Sequence, residues 1–388
     1  MARFLLTPSY MKFPKLLITL VLAFSIIASF GQRKKSLPAR LVNTLLNDTA
    51  SAAEKSFRVY PTLGYSPETG VELGASALWL FRAKGDTLNR LSEIQAFAFF
   101  TFNAQYGLWI DNAIYGDKDK WFFLGRTRIQ RFPLLYYGIG HNTAGDNPAV
   151  IDANYILLRQ RVLRKISNNL FLGPEVDYQN LFGVKFNQPH EGDPHTLPTG
   201  SNGTNNLGIG GALVYDTRHN VLNVRKGLFG ELSFLKYAPS IGSDYHFSSV
   251  NVDVRSFHPY KKNNVIAWQV YGNFLAGDVP FNQLALMGGE MMMRGFYQGR
   301  YRDKNLLSAQ VEYRMLPFSF SKRWGATVFA GTAAVAPQVG ALQLNQAQWS
   351  AGAGLRYLLF RKKDIFLRFD VGMTKEGPAF YFFTGEAF

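Results

Sequence analysis

From residue 58 to residue 388, apolar and polar residues alternate with a period of two, in segments of about ten residues closed by turn residues. Period two is the signature of a strand whose two faces meet different environments. Strands are expected near 58–65, 71–81, 92–102, 105–115, 121–131, 151–163, 170–182, 207–217, 228–237, 245–258 and 265–276. Five more follow near 306–316, 324–334, 349–359, 365–373 and 379–388, making about 16. In the twelfth, Leu307, Ala309, Val311, Tyr313 and Met315 share one face, while Ser308, Gln310, Glu312 and Arg314 share the other. The tenth sets Val250, Val252 and Val254 against Asn251, Asp253 and Arg255, and the fifteenth sets Leu367, Phe369 and Val371 against Arg368 and Asp370. A soluble sandwich alternates in the same way. Sixteen consecutive strands behind an export-type N-terminus favour an all-β, 16-stranded antiparallel transmembrane β-barrel of the outer membrane, with the charged faces inward.

That N-terminus carries Lys12 and Lys15, then an almost purely apolar run from Leu16 to Phe30, closed by Ser29, Gly31 and Gln32. Fifteen apolar residues are short for a membrane helix, which needs about 20. A cleaved secretory signal over residues 1–31 is expected, with a retained N-terminal helix as the alternative. Residues 32–57 form a short periplasmic segment, in which Leu41, Val42, Leu45 and Leu46 have helical spacing. An amphipathic helix and a linker both fit that segment, and the barrel is expected over 58–388. The chain has no cysteine, which accords with an oxidising export route.

A net charge of +15 invites a nucleic-acid reading. The excess instead collects on short connections, at Arg164-Lys165, Arg225-Lys226, Lys261-Lys262, Lys322-Arg323 and Arg361-Lys362-Lys363. Turn tips beside anionic lipid headgroups gain about 1 kcal/mol per basic group, so outer-membrane lipids and lipopolysaccharide are the expected partners and nucleic acid is not. The long connections, near 132–150, 187–206, 277–305 and 335–348, alternate with these short ones. Short turns belong on the periplasmic side and long loops outside, which places both ends of the barrel in the periplasm.

The loop between the eleventh and twelfth strands contains Met293-Arg294-Gly295-Phe296. Arg294-Gly295-Phe296 resembles the loop signature of the BamA/TamA-like outer-membrane assembly and secretion barrels, which include the bacterial surface antigen branch. In that family the loop lies between strands 11 and 12 of 16 and folds into the lumen, and Glu312 matches the family's strand-12 glutamate. Tyr215-Asp216-Thr217-Arg218 with Gly227 resembles its strand 8–9 hairpin, and Tyr65-Ser66-Pro67-Glu68-Thr69-Gly70 resembles the first hairpin of the surface-antigen branch. Phe380, Phe382 and Phe388 resemble the C-terminal signal read by the outer-membrane assembly machinery. Two departures stand out. The segment before the barrel has no room for a POTRA domain, so a POTRA-less branch is expected, with a periplasmic or lipoprotein partner delivering substrate. The family's strand-13 Phe-x-Asp-x-Gly reads Phe329-Ala330-Gly331-Thr332-Ala333 here, without its Asp.

An arginine inside a barrel needs a carboxylate, because an unpaired charge away from bulk water is costly. The expectation is a latch in which Arg294 pairs with Glu312 or another inward carboxylate, Gly295 permits the turn and Phe296 wedges against the wall. The alternative is a solvated external loop whose Arg294 meets lipopolysaccharide phosphate. His190, Glu191, Asp193 and His195 share one loop without recognisable ligand spacing, and no metal is expected there. No nucleophile elbow or P-loop occurs, and Gly138-Ile139-Gly140-His141-Asn142 lies in a loop. Inward carboxylates (Glu175, Asp177, Asp216, Asp253, Asp370) and arginines (Arg126, Arg128, Arg159, Arg161, Arg356, Arg368) suit a charge-paired lumen. Neither an enzyme nor a cofactor is expected. The resemblance implies outer-membrane biogenesis, the insertion or translocation of protein or lipid, through a weak seam between first and last strands. A passive or gated channel for small solutes is the alternative.

Overall fold

The computed structural model describes residues 56–145, 148–187, 197–218, 223–361 and 364–388. The expected signal, most of the segment after it, His190, Glu191, Asp193, His195, Lys362 and Lys363 lie outside them. The chain divides into Met1–Asp48 and Thr49–Phe388, and all described residues belong to the second unit.

Sixteen strands build that unit: β1 Ser56–Ser66, β2 Gly70–Arg82, β3 Leu91–Thr101, β4 Tyr106–Tyr115, β5 Trp121–Arg131, β6 Ala149–Ser167, β7 Leu170–Asn187 and β8 Thr204–Asp216. They continue as β9 Gly227–Tyr237, β10 Phe247–Tyr260, β11 Asn264–Gly277, β12 Asn305–Met315, β13 Trp324–Ala336, β14 Gln348–Phe360, β15 Ile365–Thr374 and β16 Gly377–Thr384. Each pairs antiparallel with its neighbours in sequence, and β16 returns to β1. The sheet closes into a 16-stranded antiparallel barrel. Three-residue strands at Leu134–Tyr136, Ala285–Met287 and Tyr301–Asp303 sit in the connections. No described helix is long and apolar enough to cross a membrane.

Burial follows the alternation read from the sequence. Along β12, Ser308, Gln310, Glu312 and Arg314 are buried, whereas Leu307 and Val311 are exposed on the outer face. Asn251 and Asp253 on β10 and Arg368 and Asp370 on β15 are likewise buried on the inner face. A bilayer makes this necessary, since a charge on the lipid face near the midplane costs about 2–4 kcal/mol.

The ends of the barrel differ from the sequence reading. β1 starts at Ser56, before the expected 58. β16 stops at Thr384, before 388, because Gly385 takes a φ of 92° and turns the chain off the strand. The β6–β7 hairpin is longer than expected at both ends, with β6 running from Ala149 to Ser167 instead of 151–163 and β7 continuing to Asn187 instead of 182. Its turn is only Asn168 and Asn169, the latter at φ 60°, a left-handed conformation that asparagine tolerates better than most residues.

One rim carries the long connections, including 278–304. The other carries Arg164-Lys165, Arg225-Lys226, Lys261-Lys262, Lys322-Arg323 and Arg361. At this basic rim Asn223 and Arg225, just before β9, meet the β12–β13 and β14–β15 turns. Arg225 pairs with Asp364 at 2.6 Å and donates to the Leu316 carbonyl at 2.6 Å. Val224 packs with Phe257, Val265, Ala267 and Phe388.

Candidate functional site: the loop inside the barrel wall

The connection between β11 and β12 begins as a small ladder, with Ala285 opposite Asp303, Leu286 opposite Arg302 and Met287 opposite Tyr301. That ladder carries residues 288–300 onto the inner faces of β12–β16. Met287, Met293, Phe296 and Tyr301 are buried with Leu306, Ala333 and Val335 of the wall, each large apolar side chain contributing about 1.5–3 kcal/mol on burial.

At the innermost turn Gly295 has a φ of 115°, open to glycine and strained for other residues. A Cβ there would lie 2.4 Å from Thr374 Cγ2. The wall makes room in turn. A Cβ on Gly372 of β15 would lie 2.4 Å from the Arg294 carbonyl oxygen and 2.7 Å from the Gly295 nitrogen. Ser350 Oγ donates to the Arg294 carbonyl, and the Gly295 N–H donates to the Tyr381 hydroxyl at 2.9 Å. Gly372→Val is therefore expected to expel this turn. Limited proteolysis should then cleave within 288–300 in the variant and spare the wild type. Equal resistance in both would show that the turn is not held by this fit.

Arg294 is fully buried and forms two ion pairs, one with Glu312 on β12 and one with Asp370 on β15 at 2.7 Å. Its guanidinium carbon lies 3.6 Å from the centre of the Phe329 ring on β13, a cation–π contact. Thus β13, which lacks the family's Asp, presents an aromatic face, and the second carboxylate comes from β15. The charges continue outward. Glu312 also accepts from Arg314 at 2.6 Å, Asp370 from Arg356 at 2.5 Å, and Glu386 from Arg356 at 2.9 Å. Arg314 lies 4.0 Å from Glu386 and closes a ring of three arginines and three carboxylates. Arg368 joins it at Asp370, 3.7 Å away, and reaches Glu290 of the loop at 3.6 Å. Four arginines thus meet four carboxylates. Such balance is what burial demands, because each desolvated ion costs several kcal/mol unless partners satisfy it.

The structure brings Arg294, Gly295, Phe296 and Glu312 together. Sequence reasoning placed Asp370 only among inward carboxylates and missed Ser350, Tyr381 and Gly372 as holders of the turn. It also missed Glu68, in the β1–β2 hairpin, whose carboxylate accepts from the Gln298 N–H at 2.7 Å. Burial raises the Glu68 carboxyl above its ordinary range, against the lowering effect of hydrogen bonds from Ser66 and Gln298. The three phenylalanines at the other end do not share a face. Phe380 and Phe382 alternate with buried Ala379 and Tyr381 on β16, so they point outward. Phe388, beyond the Gly385 turn, is buried 6.3 Å from Phe257, and its main-chain oxygen accepts from Arg314 at 2.9 Å.

The wall itself has one thin join. β1 and β16 pair at a single position, Tyr65 opposite Phe382. The flanking ladders pair eleven positions between β1 and β2 and eight between β15 and β16.

The Omp85 superfamily domain matches residues 136–388. Among solved structures, BamA from Haemophilus ducreyi lacking POTRA domains 1-3 is similar at 15% identity, with a TM-score of 0.54 over 85% of this chain and 70% of that one. CdiB from Escherichia coli is similar at 10% identity, with a TM-score of 0.55 over 89% of this chain and 68% of that one. CdiB from Acinetobacter baumannii is similar at 11% identity, with a TM-score of 0.53 over 84% of this chain, which spans only 59% of that structure. At these identities the likeness is one of fold. A comparison with curated protein sequences finds no match. The domain match covers more than half of the chain, and with it the loop and the wall that holds it, so the chain belongs to the Omp85 superfamily.

Proposed function

We propose that this protein is an outer-membrane barrel that acts in outer-membrane biogenesis, moving protein or lipid into or through the bilayer at the β1–β16 join. The observation that carries this reading is the single ladder pair Tyr65–Phe382. Backbone N–H and C=O groups facing hydrocarbon must find partners, at several kcal/mol for each left unsatisfied. A strand edge so sparsely paired is both the cheapest place to part the wall and a template for an incoming strand. The loop around Arg294 braces the β16 side of that join, so that β12–β16 stay together, and its Gln298–Glu68 hydrogen bond to the β1–β2 hairpin must break when β1 parts from them. The basic rim faces the periplasm in this reading, where a periplasmic or lipoprotein partner delivers substrate, and Phe380 and Phe382 serve the assembly machinery during the barrel's own insertion.

The test is a quantitative outer-membrane proteome after depletion of the protein. A selective fall in other barrels or surface lipoproteins is the expected result and identifies the clients. An unchanged proteome would refute the biogenesis role. The channel reading is separated by deleting residues 288–300. A solute channel gains steady conductance in planar bilayers and leaves the proteome intact, whereas the biogenesis role requires loss of the same clients as depletion.

A further inference from the structure

The inner face of β4 and β5 meets water part-way along the barrel, between the buried inner clusters around Phe122 and around Tyr136. On β5, Phe122 is buried and Leu124 packs with the inner cluster around it, so Arg126 and Arg128, on the same face, also point inward. Arg126 is nevertheless exposed, and the Asp111 side chain is 49% exposed. An inward residue so exposed borders water, so an aqueous chamber lies against this wall.

Arg126 makes no ion pair or side-chain hydrogen bond among the described residues, although charges surround it. Its register partner on β6 is Arg159 and its register partner on β4 is Asp111. Asp111 commits both carboxylate oxygens to Arg128, at 2.8 and 2.9 Å. Arg159 is paired to Glu175, which also meets Arg161 at 3.0 Å, and Arg161 takes Glu231 at 2.5 Å. Every nearby carboxylate of that network is engaged. Like charges directly opposite across two strands destabilise a sheet, and Arg126 faces Arg159 without an acid of its own.

We infer that this chamber is a binding site for a small soluble oxyanion of the phosphate type, held by the Arg126 guanidinium with Arg128 and Arg159 beside it. A guanidinium matches such an anion with paired N–H donors. The site opens to the lumen and not to the lipid face, so the ligand comes from solution and not from a bilayer headgroup. This inference does not depend on the biogenesis reading.

The test is isothermal titration of the full chain, folded in phospholipid-free detergent, with inorganic pyrophosphate at constant ionic strength. Wild type is expected to give saturable single-site heat. Arg126→Gln, which breaks no ion pair, should weaken binding at least tenfold while leaving the melting temperature without ligand unchanged or higher. Arg126→Lys should fall between the two. Lys165→Gln on the basic rim serves as the control and should bind like wild type. Absence of saturable binding, equal affinity in Arg126→Gln, or an equal loss in Lys165→Gln would each overturn the site, the last by assigning the heat to rim electrostatics.

Discussion

Replacing Arg294 with alanine should lower the barrel's unfolding free energy by about 3–5 kcal/mol, the usual consequence of removing one partner from a buried ion pair. The reason is what remains. Glu312 and Asp370 are both fully buried, and without Arg294 they confront each other with their outer arginines alone. Lysine at 294 should recover only part of the loss, because a single ammonium cannot present two N–H pairs to carboxylates on β12 and β15 and still lie flat on Phe329. Reversing charge with Arg294→Glu should be worse than alanine. Combining it with Glu312→Arg should restore some stability but not all, since Asp370 still faces the new carboxylate. Urea unfolding followed by heat-modifiable gel migration reads all four variants. A wild-type midpoint for Arg294→Ala would mean that the loop contributes nothing to the wall, and the latch would have to be abandoned.

The strands and the place of this loop were legible in the sequence because alternation reports which face a residue occupies. Glu312 and Asp370 could both be assigned inward from their neighbours alone. Their meeting at one guanidinium could not. Height along the barrel axis is set by strand tilt and stagger, and those depend on the register of every ladder from β12 to β15. The same limit hid Ser350 and Tyr381, ordinary inward residues until the register places them at the Arg294–Gly295 turn. Glycines were legible as breaks but not as partners, so Gly372 carried no signal that a loop carbonyl would lie against it. The C-terminal phenylalanines illustrate the converse. Phe380 and Phe382 follow the alternation and lie outward, while Phe388 escapes it because Gly385 ends the strand first.

Locking the join should abolish function without unfolding the barrel. Tyr65 and Phe382 face each other in the ladder, and facing residues of an antiparallel pair lie about 4.5–5.5 Å apart at Cα. That falls inside the range of about 4.4–6.8 Å that a disulfide accepts. The chain has no cysteine of its own, so Tyr65→Cys with Phe382→Cys introduces one defined bond. The oxidised variant is expected to leave clients as depleted as removal of the protein does, and reduction should return them. A matching bond between β14 and β15, from Leu355→Cys with Phe369→Cys in register, should have no such effect, because that ladder has no need to part. Full activity in the oxidised seam variant would mean that substrate passes elsewhere, and the sparse pairing of β1 with β16 would then be a static feature of the wall. Loss of activity in both variants would point to a general need for a pliable barrel and would remove the special role of the join. Only loss at the join, reversed by reduction and absent from the control, fits a wall that opens there.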